Sequence, residues 1–169
     1  MNAAPTRWKA GHLPGLADDE VSWHTLHFDG VAGQPLEIAV PALTPVQADA
    51  LAQRVRQSAR EVLQTLPVSA IIERIDRAVA RLLDTRDPLR QEADALLPRV
   101  TGYDAEMVRL GLTRYLQAFR APQLHRFVSE DFANPKVLDE FQPAAKGGMV
   151  RAFGPGLLVH HWAGNVPGL

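Results

Sequence analysis

Two pairs of closely spaced histidines are the first candidates for chemistry in this chain, because histidine can bind metals. His24 and His27 lie three residues apart in a stretch typical of a β-strand, so their side chains should point to opposite faces. His160 and His161 are adjacent and diverge in the same way. No His-Glu-x-x-His motif and no acidic cluster accompanies either pair. Structural or surface roles are therefore favoured over metal binding, and we expect no bound metal.

The composition excludes several kinds of chemistry and several kinds of partner. The chain has 169 residues, a net charge of −1 and no cysteine, which excludes disulfides and thiolate metal sites within these residues. Its lysines and arginines are spread along the sequence rather than clustered, so we expect no nucleic-acid partner. No apolar stretch approaches the roughly 20 residues that span a bilayer, and the N-terminal residues do not resemble a signal sequence. We expect a soluble, cytoplasmic protein without a membrane span.

The most informative stretch lies at the C-terminal end of the sequence. An apolar run at residues 157–159 follows Pro155-Gly156 and precedes a turn at residues 164–167, which reads Gly-Asn-Val-Pro. This pattern predicts a buried parallel strand over residues 157–162 that leads into a tight turn. A parallel strand needs a partner reached by a crossover of a dozen or more residues. We therefore expect the chain to be the front piece of a larger α/β protein.

The sequence divides into three predicted regions. Residues 1–42 form a loose leader and a β-hairpin, residues 43–145 a helical lead-in region, and residues 146–169 the incomplete start of a cofactor-binding domain. The hairpin strands are predicted at 21–29 and 36–40, with a glycine-containing loop between them.

The helical region has clear start signals and apolar stripes. Thr44, Pro45 and Gln47 combine an N-cap, a first-turn proline and a capping box, and Asp104 is a second predicted N-cap. The stripe of the first helix contains Ala48, Leu51, Ala52, Val55, Ala59, Val62 and Leu66. The stripe of the helix after Asp104 contains Met107, Leu110, Tyr115 and Phe119. These residues form the apolar sides of the two helices, and we expect Tyr103 to pack at a helix–helix junction.

Two segments together give the chain a family resemblance. Residues 97–108 read Leu-Pro-Arg-Val-Thr-Gly-Tyr-Asp-Ala-Glu-Met-Val, and residues 154–168 contain the Gly-Asn-Val-Pro turn. In this order, with helices between them, they resemble the N-terminal part of LuxC-type acyl-CoA reductases, a branch of the aldehyde dehydrogenase superfamily. The resemblance runs from about residue 43 to residue 169. It implies an α/β fold in which a mainly helical segment leads into the first strand of a Rossmann domain, truncated in this chain.

The resemblance also implies a reaction and its site residues. Such reductases convert a fatty acyl-CoA, or a carrier-linked acyl group, into an aldehyde with NADPH through an acyl-cysteine intermediate. The superfamily ends its first cofactor-domain strand in a Pro-aromatic-Asn-aromatic-Pro turn, which corresponds here to residues 163–167. Asn165 would then be the oxyanion donor, and the backbone at Ala163 and Gly164 would contact the cofactor. Gly164 departs from the family pattern, since an aromatic residue usually stands there.

The same resemblance implies partners for the chain, and two alternative functions stay open. The implied partners are the acyl-CoA or acyl-carrier substrate, an acyl-activating enzyme and further copies of the chain in a homo-oligomer. One alternative is a superfamily reductase that acts on an acyl phosphate, and another is a non-catalytic helical binding or adaptor fragment. The turn by itself favours Asn165 as a plain turn-former, and the resemblance reverses that preference. A reading frame that continues to a cysteine would favour the enzyme, whereas a stop after residue 169 would favour the adaptor.

Overall fold

The computed structural model describes residues 6–28 and 35–160, which form a mixed structure of helices and small sheets. In chain order the regular elements are β1 (Thr6–Lys9), β2 (Ser22–Phe28), β3 (Leu36–Ala42), α1 (Pro45–Glu61), α2 (Val68–Leu83), α3 (Pro88–Thr101), α4 (Ala105–Gln117), α5 (Ala121–Asp131), β4 (Gln142–Pro143) and β5 (Met149–Val150). Short 3-10 turns occupy Leu63–Thr65 and Pro135–Leu138. The predicted helical middle of the chain is confirmed.

The first three strands form one sheet in the order β1-β3-β2. Strands β2 and β3 pair in antiparallel fashion, with Leu26 opposite Ile38 and Phe28 opposite Leu36, so the predicted hairpin is confirmed. Leu36 and Ile38 are buried in the central strand, where Trp8 of β1 and Leu26 of β2 flank Ile38 on the same face of the sheet.

The prediction of a loose N-terminal leader was wrong at residues 6–9. These residues form strand β1, which pairs in parallel with β3 and places Trp8 opposite Ile38. A two-stranded hairpin is marginal in water, and a third strand satisfies the second edge of β3. Four residues are too few to show a period, and the partner strand lies about 30 residues away in the sequence, so local pattern could not reveal the pairing.

The helix ends follow the predicted capping chemistry. Thr44 Oγ1 accepts a hydrogen bond from the Gln47 N–H at 3.3 Å, and Gln47 Oε1 accepts one from the Thr44 N–H at 2.9 Å. Asp104 caps α4 by accepting bonds from the N–H groups of Glu106 and Met107. These bonds satisfy N–H groups that have no partner inside the helix.

Helix α2 is the centre of the helical packing and contacts α3, α4 and α5. Ile72 and Val79 of α2 and Leu116 of α4 are buried there. Helix α1 differs, since it buries none of its side chains and leaves Val55 and Val62 at 40% and 51% exposure. The predicted apolar stripe of this helix is at most half-buried, with Leu51, Ala52 and Ala59 only partly covered.

The predicted strand at residues 157–162 is not formed over its described part. Residues 157–160 have no regular secondary structure, and residues 161 and 162 lie outside the described ranges. An extended segment becomes a strand only when its N–H and C=O groups pair with a neighbour, and no described strand lies beside this one. Leu158 and Val159 are 65% and 78% exposed. The Rossmann-type portion and the three domain boundaries stay predictions.

Candidate functional site

The segment at residues 97–108 forms a tight corner between α3 and α4. Gly102 closes α3 with φ of 73°, a left-handed conformation that favours glycine, and its N–H donates to the Pro98 carbonyl at 2.9 Å. Thr101 Oγ1 donates to the Leu97 carbonyl at 2.8 Å and accepts from the Tyr103 N–H at 3.3 Å. The Thr-Gly-Tyr sequence is therefore explained by the needs of a helix end followed at once by a new helix.

An apolar ridge stands on the solvent side of this corner. Tyr103, just before α4, and Met107 and Leu110, three residues apart within it, are 53%, 67% and 43% exposed. Tyr103 lies at the junction of α3 and α4, as expected, but its side chain is half exposed. Met107 and Leu110, on the predicted apolar side of α4, are exposed, because the helix turns its opposite side inward and buries Leu116. Tyr115 contacts the ring of Phe119 edge-to-face at 5.0 Å between centroids.

The buried guanidinium of Arg90 ties three helices together behind the corner. Its Nε lies 2.9 Å from both carboxylate oxygens of Asp94 in α3. Nη1 donates to the Leu82 carbonyl of α2 at 3.1 Å, and Nη2 donates to the Arg109 carbonyl and Thr113 Oγ1 of α4 at 3.2 and 3.0 Å. Arg90 has 0% exposure, so its charge is stable there only because these acceptors surround it.

Sequence reasoning did not identify Arg90. The available signal was the Arg-x-x-x-Asp spacing of Arg90 and Asp94, which puts the two side chains on one helix face. The same spacing occurs in the exposed pair of Arg126 and Glu130, so it does not distinguish a buried pair from a surface pair. Burial depends on where α2 and α4 lie, which is tertiary information.

A second polar contact fixes the start of α5 against α2. The Arg120 guanidinium donates to both carboxylate oxygens of Asp76, and the Ala121 N–H donates to Asp76 Oδ1 at 2.8 Å. The hydrogen bond from Arg120, followed by that from Ala121, holds the pKa of Asp76 below its usual value of 3.8. The carboxylate thus caps α5 from a neighbouring helix.

The chain that leads towards the predicted site is anchored to this helical unit. Asp139 Oδ1 accepts from the Val68 N–H at the start of α2 at 2.8 Å, and the Ala152 N–H donates to the Val137 carbonyl at 2.8 Å. Between these anchors, β4 and β5 pair through a turn that contains two glycines with positive φ. Residues 134–152 are therefore held against the first turn of α2.

Other chemistry is sparse in the part of the chain that the structure describes. An open cleft of about 310 Å³ lies on the face of the N-terminal sheet beside Arg7, Lys9 and Thr25. A second cleft, of about 150 Å³, lies between α2, α5 and the 3-10 turn at Pro135–Leu138, below the usual size of a small-molecule pocket. No group of three or more His, Asp or Glu side chains in residues 6–28 and 35–160 could hold a metal ion. No described helix is both long and apolar enough to cross a membrane.

The predicted site residues all lie outside the described region. Ala163, Gly164 and Asn165 lie outside the described residues, so their roles stay predictions. His24 and His27 lie in β2 opposite Val40 and Glu37, which confirms that they face opposite sides of the sheet.

Comparison with known proteins identifies the family. The family model described as Acyl-CoA reductase (LuxC) matches residues 63–169, well over half of the chain. The chain therefore belongs to the LuxC acyl-CoA reductase family, and the resemblance drawn from residues 97–108 and 154–168 is confirmed. The family places the chain in the general activity class of acyl-CoA reductases. No curated protein and no solved structure matches it.

Proposed function

We propose that this chain takes part in the NADPH-dependent reduction of a fatty acyl-CoA, or a carrier-linked acyl group, to an aldehyde. One observation carries the proposal: the family match covers residues 63–169 and so includes residues 163–167, the predicted turn with Asn165. The match also includes the α3–α4 corner and the buried Arg90, which build the rigid part of the described structure.

The proposed chemistry begins with attack of a cysteine thiolate on the thioester carbonyl carbon. A new carbon–sulfur bond forms, the carbonyl oxygen takes up negative charge, and the bond to the CoA sulfur then breaks as CoA leaves as a thiolate. The 169 residues contain no cysteine, so the nucleophile in this proposal comes from sequence outside them, as part of a longer protein. NADPH supplies the hydride that converts the acyl group to the aldehyde when it is bound.

Asn165 is the residue of this chain that we assign to the acylation step. A side-chain amide N–H held by a tight turn donates to the carbonyl oxygen most strongly when that oxygen carries the developing charge. Such a donor typically contributes about 10²–10³ in rate. Because the amide carries no charge, it stabilises the oxyanion without forming an ion pair that would hold back the attacking thiolate.

We assign the backbone at Ala163 and Gly164 to the cofactor. Gly154 and Gly156, which precede them, have open space where a Cβ would stand, so no neighbouring group keeps either position free of a side chain. The assignment of Ala163 and Gly164 rests on the family resemblance, which places them in the turn at the end of the first cofactor-domain strand. Gly164, in place of the family's aromatic residue, would leave the backbone accessible at the nicotinamide end.

The test uses the protein encoded by the complete reading frame that contains these residues. Acyl-CoA, acyl carrier and acyl phosphate are each supplied with NADPH, and NADPH oxidation, CoA release and aldehyde are quantified. We expect aldehyde and CoA in equal amounts from acyl-CoA. The 169-residue chain alone is the control, and we expect it to form no aldehyde because it has no thiol.

Two other outcomes would replace the proposal. Turnover of acyl phosphate without turnover of acyl-CoA would assign the protein to the acyl phosphate reductases. A reading frame without a cysteine, and without activity on any donor, would favour the non-catalytic adaptor.

A further inference from the structure

The loop between β1 and β2 ties the N-terminal sheet to helix α1. Trp23 of β2 donates through its indole Nε1 to the Asp18 carbonyl of this loop at 3.0 Å. Gln47 in the first turn of α1 donates through Nε2 to the Glu20 carbonyl at 2.6 Å. Because both acceptors belong to one short loop, the sheet and α1 are held against the same piece of backbone.

A separate set of polar contacts holds the rest of the described chain together. Arg90 joins α2, α3 and α4 through its guanidinium. The ion pair of Asp76 and Arg120 joins α2 to α5, and Asp139 holds the segment after α5 against the start of α2. These contacts all lie on the C-terminal side of residue 67.

The two sets of contacts do not meet. Among residues 6–28 and 35–160, no hydrogen bond and no ion pair joins the part before residue 62 to the part after residue 67. Each part also has buried apolar residues of its own. These are Val21, Leu36 and Ile38 in the first part and Ile72, Val79 and Leu116 in the second. A separate core and a boundary that few contacts cross are the marks of a domain.

Residues 62–67 join the two parts and have the features of a hinge. Val62 ends α1 with φ of −121° and ψ of −61°, and Leu66 and Pro67 are extended. Pro67 has no N–H, so the helical hydrogen-bond ladder of α1 cannot continue through it into α2. Val62 and Leu63 are both 51% exposed, so neither part encloses them. Hinges are short segments of this kind at the ends of regular elements.

We propose that the β1-β3-β2 sheet and α1 form a separate folding unit that moves as a rigid body about residues 62–67. The family match begins at residue 63, inside this junction, so a comparison of sequences gives the same boundary as the hydrogen bonds. The position of the N-terminal unit can then change while Arg90 keeps α2, α3 and α4 in one arrangement. This inference rests on the fold and does not depend on the proposed function.

Hydrogen exchange followed by mass spectrometry tests whether the two parts unfold separately. Ile38→Ala removes buried apolar atoms from the sheet, and Ile72→Ala is the matched change in α2. Ile38→Ala should speed exchange in the sheet by at least about tenfold and leave exchange in α2–α5 unchanged. Ile72→Ala should give the reverse pattern. If Ile38→Ala unfolds the sheet altogether, α2–α5 should still keep their protection.

Distances between spin labels test the motion about the junction. The chain has no cysteine, so labels attach only to introduced ones. The pair Arg56→Cys and Arg114→Cys places one label on α1 and one on α4, at exposed positions. The pair Arg77→Cys and Arg114→Cys is the control within α2–α5, also at exposed positions. By double electron–electron resonance we expect a distance distribution several times broader for the first pair than for the control.

Either of two results would overturn the proposal. Equal acceleration of exchange in the sheet and in α2–α5, by both Ile38→Ala and Ile72→Ala, would mean that the two parts unfold as one cooperative unit. A distance distribution between α1 and α4 as narrow as that of the control pair would mean that residues 62–67 are rigid.

Discussion

The N-terminal sheet and the helical unit α2–α5 are held together in different ways. The sheet depends on its backbone ladder and on a small apolar face around Leu36 and Ile38. The helical unit also buries apolar side chains, but its relative helix positions are set by charged groups, Arg90 inside and the Asp76–Arg120 pair at its edge. The family match includes the helical unit and leaves out the sheet.

This difference affects how firmly hydrogen bonds fix the arrangement of each region. Hydrogen bonds to a guanidinium have definite directions, so Arg90 permits one arrangement of α2, α3 and α4. The hydrogen bonds between strands are equally directional, but each edge strand of a sheet keeps a row of unpaired N–H and C=O groups. We therefore expect changes at the buried charges of the helical unit to alter its stability strongly.

The largest effect is expected at Arg90. Arg90→Ala leaves Asp94, the Leu82 carbonyl and Thr113 without their buried partner, which should cost about 3–5 kcal/mol of unfolding free energy. Arg90→Lys should recover little, because an ammonium cannot reproduce the fork of donors. Chemical denaturation followed by circular dichroism measures both. Arg86→Ala is the control, since its side chain is 88% exposed, and equal losses at the two arginines would contradict the role given to Arg90.

A comparable effect on rate is expected at Asn165 in the full-length enzyme. Asn165→Ala should lower the acylation rate by about 10²–10³ with little change in acyl-CoA affinity, because the amide acts on the transition state. Asn165→Asp should be slower still, since a carboxylate repels the oxyanion. Burst-phase release of CoA measures this step.

A stability measurement distinguishes an oxyanion donor from a turn-former at Asn165. If Asn165→Ala unfolds at the same denaturant concentration as the unmodified enzyme and acylates at full rate, Asn165 is a turn-former.

A smaller effect is expected at Gly102, where α3 ends in the left-handed conformation. No atom lies within 4 Å of the position that a Cβ would take, so Gly102→Ala pays only the conformational cost, about 1 kcal/mol. Gly102→Asn should cost less because asparagine tolerates this conformation. Thermal unfolding distinguishes the two, and equal stability of all three proteins would mean that the corner is not held at φ of 73°.

The smallest effect is expected at Asp76, as a change in pH dependence. Its folded-state pKa lies below the usual value, so the contribution of the carboxylate is complete above about pH 3.8 and is lost as the pH falls further. Asp76→Asn should therefore lower stability at neutral pH and flatten the decline on acidification. The measured quantity is the difference in denaturation midpoint between variant and unmodified chain at each pH. Parallel curves would exclude Asp76 as a contributor.

Local signals predicted the helical region and the family well. Thr44 and Asp104 bond to N–H groups within three residues, so the helix starts that they mark do not depend on distant parts of the chain. The hairpin of β2 and β3 was predictable for the same reason, since its strands are joined by a short loop. The Thr-Gly-Tyr corner is equally local, which is why its motif carried the resemblance.

The sequence by itself determined where the helices begin, that two strands pair as a hairpin and that the chain belongs with acyl-CoA reductases. Only the tertiary structure decided that β1 completes the sheet, that Arg90 is buried and that the stripe of α1 stays exposed. The same holds for residues 157–160, which are apolar enough for a strand but have no neighbouring strand among the described residues. The physical reason is shared: a cap or a tight turn finds its hydrogen-bond partners within a few residues, whereas a strand edge, a buried charge and an apolar stripe need partners brought from elsewhere in the fold.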